Sequence, residues 1–306
     1  MKLHTLIDLF ESHCSQDLSA RTAEFYAGHM RTYAAWPDGD DEDPLSVETI
    51  RAYMAAEKDR GLLPNSLIAR YSSFLAFFKW AIKNEHHDGP SPMDKIGRPP
   101  KPKSAARRAK RADVLEVINS IPFANWWLDQ RDRTIIQILL CCGLRIGELC
   151  ALTVDDIDTV GWSLSVPPIK QSKRRSIPLG ADDMEASNTI RYDIDNWLRV
   201  RPTNHPTDAL FLGYSGPYTA RGPLRTDGAR NAIKQRCEHA GVKYFNPHSI
   251  RHCFATNAIN SGVRAEILQV LMGHASIVVT LEIYAEVLND RIIEEARGVL
   301  AHANSQ

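Results

Sequence analysis

Leu271-Met272-Gly273-His274-Ala275-Ser276-Ile277-Val278-Val279-Thr280-Leu281-Glu282-Ile283-Tyr284 is the most informative stretch of this 306-residue chain, because it sets a Gly-His pair ten residues ahead of a tyrosine. Upstream lie His248-Ser249-Ile250-Arg251-His252 and Gly143-Leu144-Arg145-Ile146-Gly147-Glu148-Leu149. Together they offer one hydroxyl nucleophile, two arginines and two or three histidines. Breaking and rejoining a phosphodiester through a protein-bound intermediate requires that assortment: a nucleophile, fixed positive charge, and imidazoles to handle protons.

Each group has an ordinary reading beside the chemical one. Asn246-Pro247 resembles an N-cap followed by proline at the first helical position. His248 and Arg251 are then three apart on one face of that helix's first turns, where backbone N–H groups and the dipole favour an anion. A lone H-x-x-R, taken without context, reads first as an ordinary surface helix. His252 points elsewhere and reads as packed or capping. Arg145 follows Gly143 after an apolar helix, with Glu148 one turn on. The pair either fixes a helix junction or holds the arginine fork rigid for phosphate oxygens. Lys170 and Lys173 sit in what reads as a hairpin turn, where a lysine is either solvated or a proton donor to a leaving oxygen. The histidines and Glu148 match no H-E-x-x-H or Cys/His zinc spacing, and Arg251 between two histidines would repel a dication. No metal is expected.

The chain is long for one core and comfortable for two domains. At 43% hydrophobic and 24% charged residues it reads as a soluble globular protein. No apolar run approaches the ~20 residues that span a bilayer, and Met1–Asp8 carries charge too early for a secretory signal. The six cysteines contain no C-x-x-C pair and read as buried reduced thiols of a cytosolic protein. Net charge is zero, but its distribution is uneven. Residues 1–97 hold 10 basic and 15 acidic side chains, five of the acids within Asp38–Asp43. Residues 98–111 hold Arg98, Lys101, Lys103, Arg107, Arg108, Lys110 and Arg111 and no acid. A second basic cluster contains Lys170, Lys173, Arg174 and Arg175. Phosphate neutralisation and counterion release are local, so overall neutrality does not exclude a nucleic-acid partner.

Periodicity predicts a mainly α protein with a small β-sheet. Four helices fall in the first 90 or so residues: Leu3, Leu6, Ile7 and Phe10 mark one, Ser19 and Ser46 cap two more, and an apolar-rich run follows Pro64. Prolines 90, 92, 99, 100 and 102 then interrupt helical structure. The expected division is a helical bundle at 1–97, a basic linker at 98–111, and a mostly helical domain at 112–306. In the latter, helices are expected around Ala112–Ser120, Thr134–Cys142, Asp183–Val200, Thr226–Ala240 and onward from Asn246 to Gly262. Strands are expected at Leu152–Ile157, Trp162–Val166 and Arg175–Leu179.

Taken together, the segments resemble the tyrosine recombinase, or phage integrase, family. Gly143–Leu149 matches its G-L-R-x-x-E-L box, Lys170 its hairpin lysine eight residues before Pro178, His248–Arg251 its H-x-x-R, and Gly273-His274 with Tyr284 its last element. All occur in order within the 142 residues from Gly143 to Tyr284. The bundle, with Thr22, Tyr26 and the segment 61–83, is similar to the family's core-site-binding domain. With nearly the whole chain covered, the resemblance favours simple two-domain integrases and Xer-type resolvases. The family's G-K-G is here Ile169-Lys170-Gln171, which keeps Lys173 a rival, and Met272 replaces a usual leucine.

The resemblance implies cytoplasmic site-specific recombination of double-stranded DNA without a cofactor. Tyr284 would form a 3′-phosphotyrosyl bond, Arg145 and Arg251 would clamp the phosphate, and His248 would accept the tyrosine proton or orient the phosphate. His274 would donate a hydrogen bond, Lys170 would protonate the 5′-oxygen, and Glu148 would brace Arg145 and His248. The residues from 98 to 111, with Arg174 and Arg175, would track phosphates. The apolar stripe Leu288, Ile292, Ile293, Ala296, Val299 and Leu300 would dock into a neighbouring protomer, building a tetramer on paired sites open to an accessory bending or directionality factor. Against this stand a type IB topoisomerase-like enzyme and a non-catalytic DNA-binding relative.

Overall fold

The computed structural model describes residues 2–36, 43–100, 109–122, 127–169, 173–180, 184–203, 206–215 and 219–303. Two compact units form, Met1–Ala105 and Ala106–Gln306.

The first unit is built from α1 (Leu3–Asp17), α2 (Ala20–Ala34), α3 (Val47–Asp59) and α4 (Pro64–Lys83). The capping serines act as expected. The Thr22 N–H donates to Ser19 Oγ at 3.3 Å and the Thr49 N–H to Ser46 Oγ at 3.1 Å, satisfying donors that each helix start leaves open. Gly61, at φ +86°, closes α3 in the left-handed conformation. The core is aromatic: Phe10, Tyr33, Tyr53, Phe74, Phe77 and Phe78 are buried together. Phe10 and Phe77 meet edge to face at 5.4 Å. Beyond α4, a single 3₁₀ turn at Pro92–Lys95 brings Met93 and Ile96 into the same core. The proline-rich stretch therefore remains part of the bundle through residue 96.

The second unit contains α5 (Arg111–Ser120), α6 (Trp127–Cys142), α7 (Ile146–Cys150), β1 (Ile157–Asp158), β2 (Ser163–Val166), β3 (Arg175–Pro178), α8 (Met184–Val200), β4 (Leu212–Ser215), β5 (Thr219–Pro223), α9 (Thr226–His239), α10 (Pro247–Asn260), α11 (Ala265–Met272) and α12 (Ile277–Ala303). Strands β1-β2-β3 form an antiparallel sheet, and β4-β5 a separate hairpin. Helix α6 is central, with Ile135, Ile136, Ile138, Leu139 and Cys142 fully buried and α5, α8, α9 and α10 packed around it. A smaller apolar cluster under α10, α11 and α12 contains Ala255, Ile259, Leu268, Met272 and Val287. All six cysteines are free thiols. No single helix among the described residues is long and apolar enough to cross a membrane.

Three elements depart from expectation. Helix α6 begins at Trp127, seven residues ahead of the expected Thr134, because its charged first half is buried rather than solvated. Arg131 donates to Asp132 Oδ1 from Nε at 2.9 Å and Nη2 at 2.7 Å, and to the Leu212 carbonyl at 2.8 Å. Arg236 reaches Asp132 Oδ2 at 2.8 Å, and Arg133 reaches Asp193 Oδ1 at 2.7 Å. The expected strand at 152–157 is instead a 3₁₀ turn, Val154–Asp156, leading into the two-residue β1. The Asp156 carboxylate accepts from the Thr153 N–H at 2.9 Å, and such a local side-chain cap competes with strand pairing. The β4-β5 hairpin carries no alternating apolar pattern and was not expected.

Asp132 lies between two guanidiniums in the interior, so Asp132→Ala removes the carboxylate partner of buried Arg131 and one of the two that hold Arg236, which keeps Asp129 at 2.8 Å. A loss of about 3–5 kcal/mol in urea denaturation is expected. Asp195→Ala, which opens only an exposed pair with Arg199, is expected to cost less than about 1 kcal/mol.

Candidate active site

The site is organised by one carboxylate. Helix α6 ends at Gly143, whose φ of +62° is left-handed and whose added Cβ would lie 2.3 Å from the Phe254 ring. Only glycine meets both demands. The chain turns there, and Arg145 becomes the N-cap of α7 with Glu148 at its third position. The Arg145 N–H donates to Glu148 Oε2 at 2.8 Å, the carboxylate half of a capping box. Glu148 is only 1% exposed.

Three guanidiniums converge on it. Arg145 Nη1 donates to Oε1 at 3.1 Å. Arg175, arriving from β3, donates to Oε1 from Nη1 at 3.1 Å and to Oε2 from Nη2 at 2.9 Å. Arg251 Nη1, from α10, lies 3.8 Å from Oε2. The same three arginines hold the end of α11. Its last carbonyls lack intrahelical donors and carry the negative end of the helix dipole. Leu271 O accepts from Arg175 Nε at 2.8 Å, Met272 O from Arg251 Nη2 at 2.6 Å, and Gly273 O from Arg145 Nη2 at 2.9 Å. Arg251 Nη1 also donates to the Gly143 carbonyl at 2.7 Å, tying α10 to the end of α6. Arg175 and Arg251 are buried, whereas the Arg145 side chain is 44% exposed. Arg145 is therefore the guanidinium open to an incoming ligand.

Burial works to raise the pKa of Glu148, but the Arg175 hydrogen bond, the Arg145 N–H and the charges of both arginines outweigh it and hold the carboxyl below its usual range. Arg251 is pushed down to about 9 by burial and then by Arg145, with Glu148 opposing. One carboxylate facing three guanidiniums leaves surplus positive charge, which a bound anion would relieve.

Both predicted histidines join the cluster. His274 follows Gly273, which caps α11 at φ +62°. Its N–H donates to Gln269 O at 3.1 Å, and its Nδ1 lies 2.9 Å from Oγ1 of the fully buried Thr280. Burial, then Arg251, Arg145 and Arg175, lower its pKa to about 4. His248 sits exposed in the first turn of α10, where Asn246 Oδ1 accepts the Ser249 N–H at 2.9 Å. Partial desolvation, then Arg251, His252 and Arg145, lower its pKa. Both imidazoles are thus neutral at neutral pH and available to accept or share a proton.

Tyr284 stands apart. It lies on α12, which runs unbroken from before the tyrosine to Ala303, and its Oη donates to the Val263 carbonyl between α10 and α11. The ring packs on the small apolar cluster. Burial, then the charge of Glu266, raise its pKa, the opposite of an activated phenol. Lys170 lies outside the described residues, as do Lys101, Lys103, Arg107 and Arg108. Lys173, Arg98, Lys110 and Arg111 are exposed. Arg174 is exposed and pairs with Asp156 at 3.2 Å. Arg175 requires correction: expected among the phosphate-tracking residues, it is buried in the site. A signal for this was present, since strand alternation puts Arg175 on the same face as Ile177. His252 pairs with Glu286 on α12 at 3.3 Å. Among the described residues no group of three or more His, Cys, Asp or Glu side chains is placed to hold a metal.

A mainly α unit that sets two arginines and two histidines around one open face, with a tyrosine on the next helix, has the architecture of a tyrosine recombinase. Residues 111–291 match the phage integrase family. The XerC tyrosine recombinase of Corynebacterium glutamicum is 30% identical over 298 residues, covering 96% of this chain and 91% of its own length. That of Mycobacterium bovis is 30% identical over 306 residues, covering 95% and 96%. Among solved structures, the Tn1549 transposon integrase in complex with transposon right end DNA is similar in fold at TM-score 0.77 and 21% identity, over 97% of this chain and 100% of that one. A lambda integrase tetramer bound to a Holliday junction gives 0.72 and 18%, over 92% and 77%. The chain belongs to the phage integrase family.

The sign of the pH dependence follows from His274. Unfolded, its imidazole titrates near 6.5; folded, near 4. Between these values the unfolded chain binds the extra proton, so stability falls as pH drops through that window. Glu148, held low in the folded state, adds a further loss at more acid pH. Urea midpoints measured from pH 7 to pH 4 are expected to decline less steeply for His274→Gln than for wild type. Parallel curves would show that His274 is not held neutral.

Proposed function

We propose that this protein is a site-specific tyrosine recombinase that cuts and rejoins double-stranded DNA through a 3′-phosphotyrosyl intermediate. The observation that carries the reading is the arginine cluster around Glu148, in surplus positive charge and open at Arg145. A scissile phosphate seated there meets Arg145 and Arg251, whose charge opposes that gathering on the non-bridging oxygens in the transition state. Tyr284 Oη attacks phosphorus, an O–P bond forms, and the P–O5′ bond breaks. Neutral His248 accepts the phenol proton or orients the phosphate, and His274 supplies a hydrogen bond. Lys170 protonates the departing 5′-oxygen, with Lys173 as the rival donor. The bond is exchanged rather than hydrolysed, so the reverse attack by a 5′-hydroxyl restores the duplex.

Tyr284 must first leave the Val263 carbonyl. Its raised pKa and its remote hydrogen bond belong to a resting arrangement, which DNA engagement or a neighbouring protomer converts. The helical bundle at 1–97 serves as a DNA-binding domain, followed by the basic linker at 98–111. The working assembly is a homotetramer on paired sites, in keeping with the lambda integrase tetramer on its Holliday junction, and the compartment is the cytoplasm. Exposed Leu288 and Ile292 on α12 are the start of the stripe that docks into a neighbour.

The decisive test incubates nicked suicide duplexes, drawn from the flanking genome, with wild type and Tyr284→Phe in EDTA. A covalent protein–DNA band is expected from wild type alone. Sequence-specific binding without an adduct would favour the non-catalytic relative, and relaxation of supercoils by a monomer the topoisomerase-like one. Arg145→Lys, which loses the fork, should slow adduct formation by about 10²–10³. Deleting residues 288–306 should abolish cooperative assembly on paired sites while leaving single-site binding intact. Equal survival of both would remove the docking role of α12.

A further inference from the structure

Arg175 stands in neither arginine box, yet it is bound into the site's framework through its whole guanidinium. It is 8% exposed. All three of its nitrogens are engaged: Nη1 and Nη2 on the two oxygens of Glu148 at 3.1 and 2.9 Å, and Nε on the Leu271 carbonyl at 2.8 Å. Arg145 and Arg251 donate to the next two carbonyls of the same helix end, and each also faces Glu148. Arg175 therefore closes a frame in which Glu148 and the end of α11 are fixed relative to each other. The Gly273-His274 turn emerges directly from that helix end. Gly273 is fitted to the same side chain: a Cβ there would lie 2.7 Å from Arg175 Nη1. Glycine at 273 is thus required by the guanidinium as well as by its left-handed φ.

We propose that Arg175 is a positioning residue of the phosphate site, holding Glu148 and the Gly273-His274 turn in the register that lets Arg145, Arg251 and His274 meet one phosphate. It reaches the substrate only through those residues, because Nε, Nη1 and Nη2 are all committed to Glu148 and Leu271, whereas Arg251 engages only its two Nη groups, on the Gly143 and Met272 carbonyls. The planar fork, and not charge alone, does the positioning, since a lysine cannot grip two carboxylate oxygens and a carbonyl together. The inference rests on the recombinase reading for its rate predictions, but not for its structural ones.

The experiment compares wild type, Arg175→Lys, Arg175→Met and Arg175→Ala. On a nicked suicide duplex, single-turnover adduct formation should fall about 10²-fold in all three, the scale for a misplaced reacting group, with duplex binding unchanged. Added methylguanidinium should partly restore Arg175→Ala by refilling the fork. In the free protein, the imidazole titration of His274 followed by NMR should move up in Arg175→Met, because a cation is lost and Glu148 is less neutralised. Adduct formation by Arg175→Lys at the wild-type rate would overturn the proposal. So would a loss in Arg175→Ala that follows its thermal destabilisation and ignores methylguanidinium. If wild type itself forms no adduct, the recombinase reading fails instead. The amide NMR shifts of Gly273 and His274 in Arg175→Lys, which keeps the charge and loses the fork, then decide the positioning role alone, and unchanged shifts would refute it.

Discussion

A single buried carboxylate, Glu148, governs the second unit. Burying an ionised carboxyl is costly unless hydrogen-bonded cations surround it, and here guanidiniums arrive from three segments: the α6–α7 turn, β3 and α10. The converse also holds. Arg175 and Arg251 are themselves buried, and Glu148 with the Leu271, Met272 and Gly143 carbonyls accepts their hydrogen bonds and faces their charge. Removing Glu148 would leave all three guanidiniums uncompensated, so segments distant in the chain are bound to one small volume by electrostatics as well as by apolar packing.

The resulting charge is unbalanced. Three guanidiniums face one carboxylate, Arg251 is already depressed to about 9, and His274 is depressed to about 4. Such a site is biased towards taking up an anion, and its exposed arginine gives that anion an entrance. The proposed nucleophile is handled in the opposite way. Tyr284 is kept protonated, bonded to Val263 and partly sheltered by apolar side chains. In the free chain Tyr284 is thus bonded to the loop between α10 and α11 and not to the arginine cluster.

The local elements were legible from the chain because their causes are local. Ser19, Ser46 and Asn246 cap helices through hydrogen bonds three residues long, and Gly143 and Gly273 end helices because only glycine adopts their φ cheaply. The first unit followed its apolar periodicity closely. Departures arose where polar residues turn inward. Arg131, Asp132 and Arg133 interrupt the apolar pattern and so hid the first half of α6. Asp156 fell within an expected strand, although its side chain caps the turn.

What the sequence by itself determined was the chemical inventory and its family: two arginine boxes, the Gly-His pair and the tyrosine ten residues on, each a short motif whose spacing survives without knowledge of the fold. Tertiary structure alone decided how they are used. It buried Arg175, made Glu148 common to three arginines, and seated Tyr284 on Val263. The physical reason is range. The bonds from Arg145 to Gly273, Arg251 to Gly143 and Arg175 to Leu271 join residues 128, 108 and 96 positions apart, and whether a charge is desolvated depends on everything packed around it rather than on its neighbours in the chain.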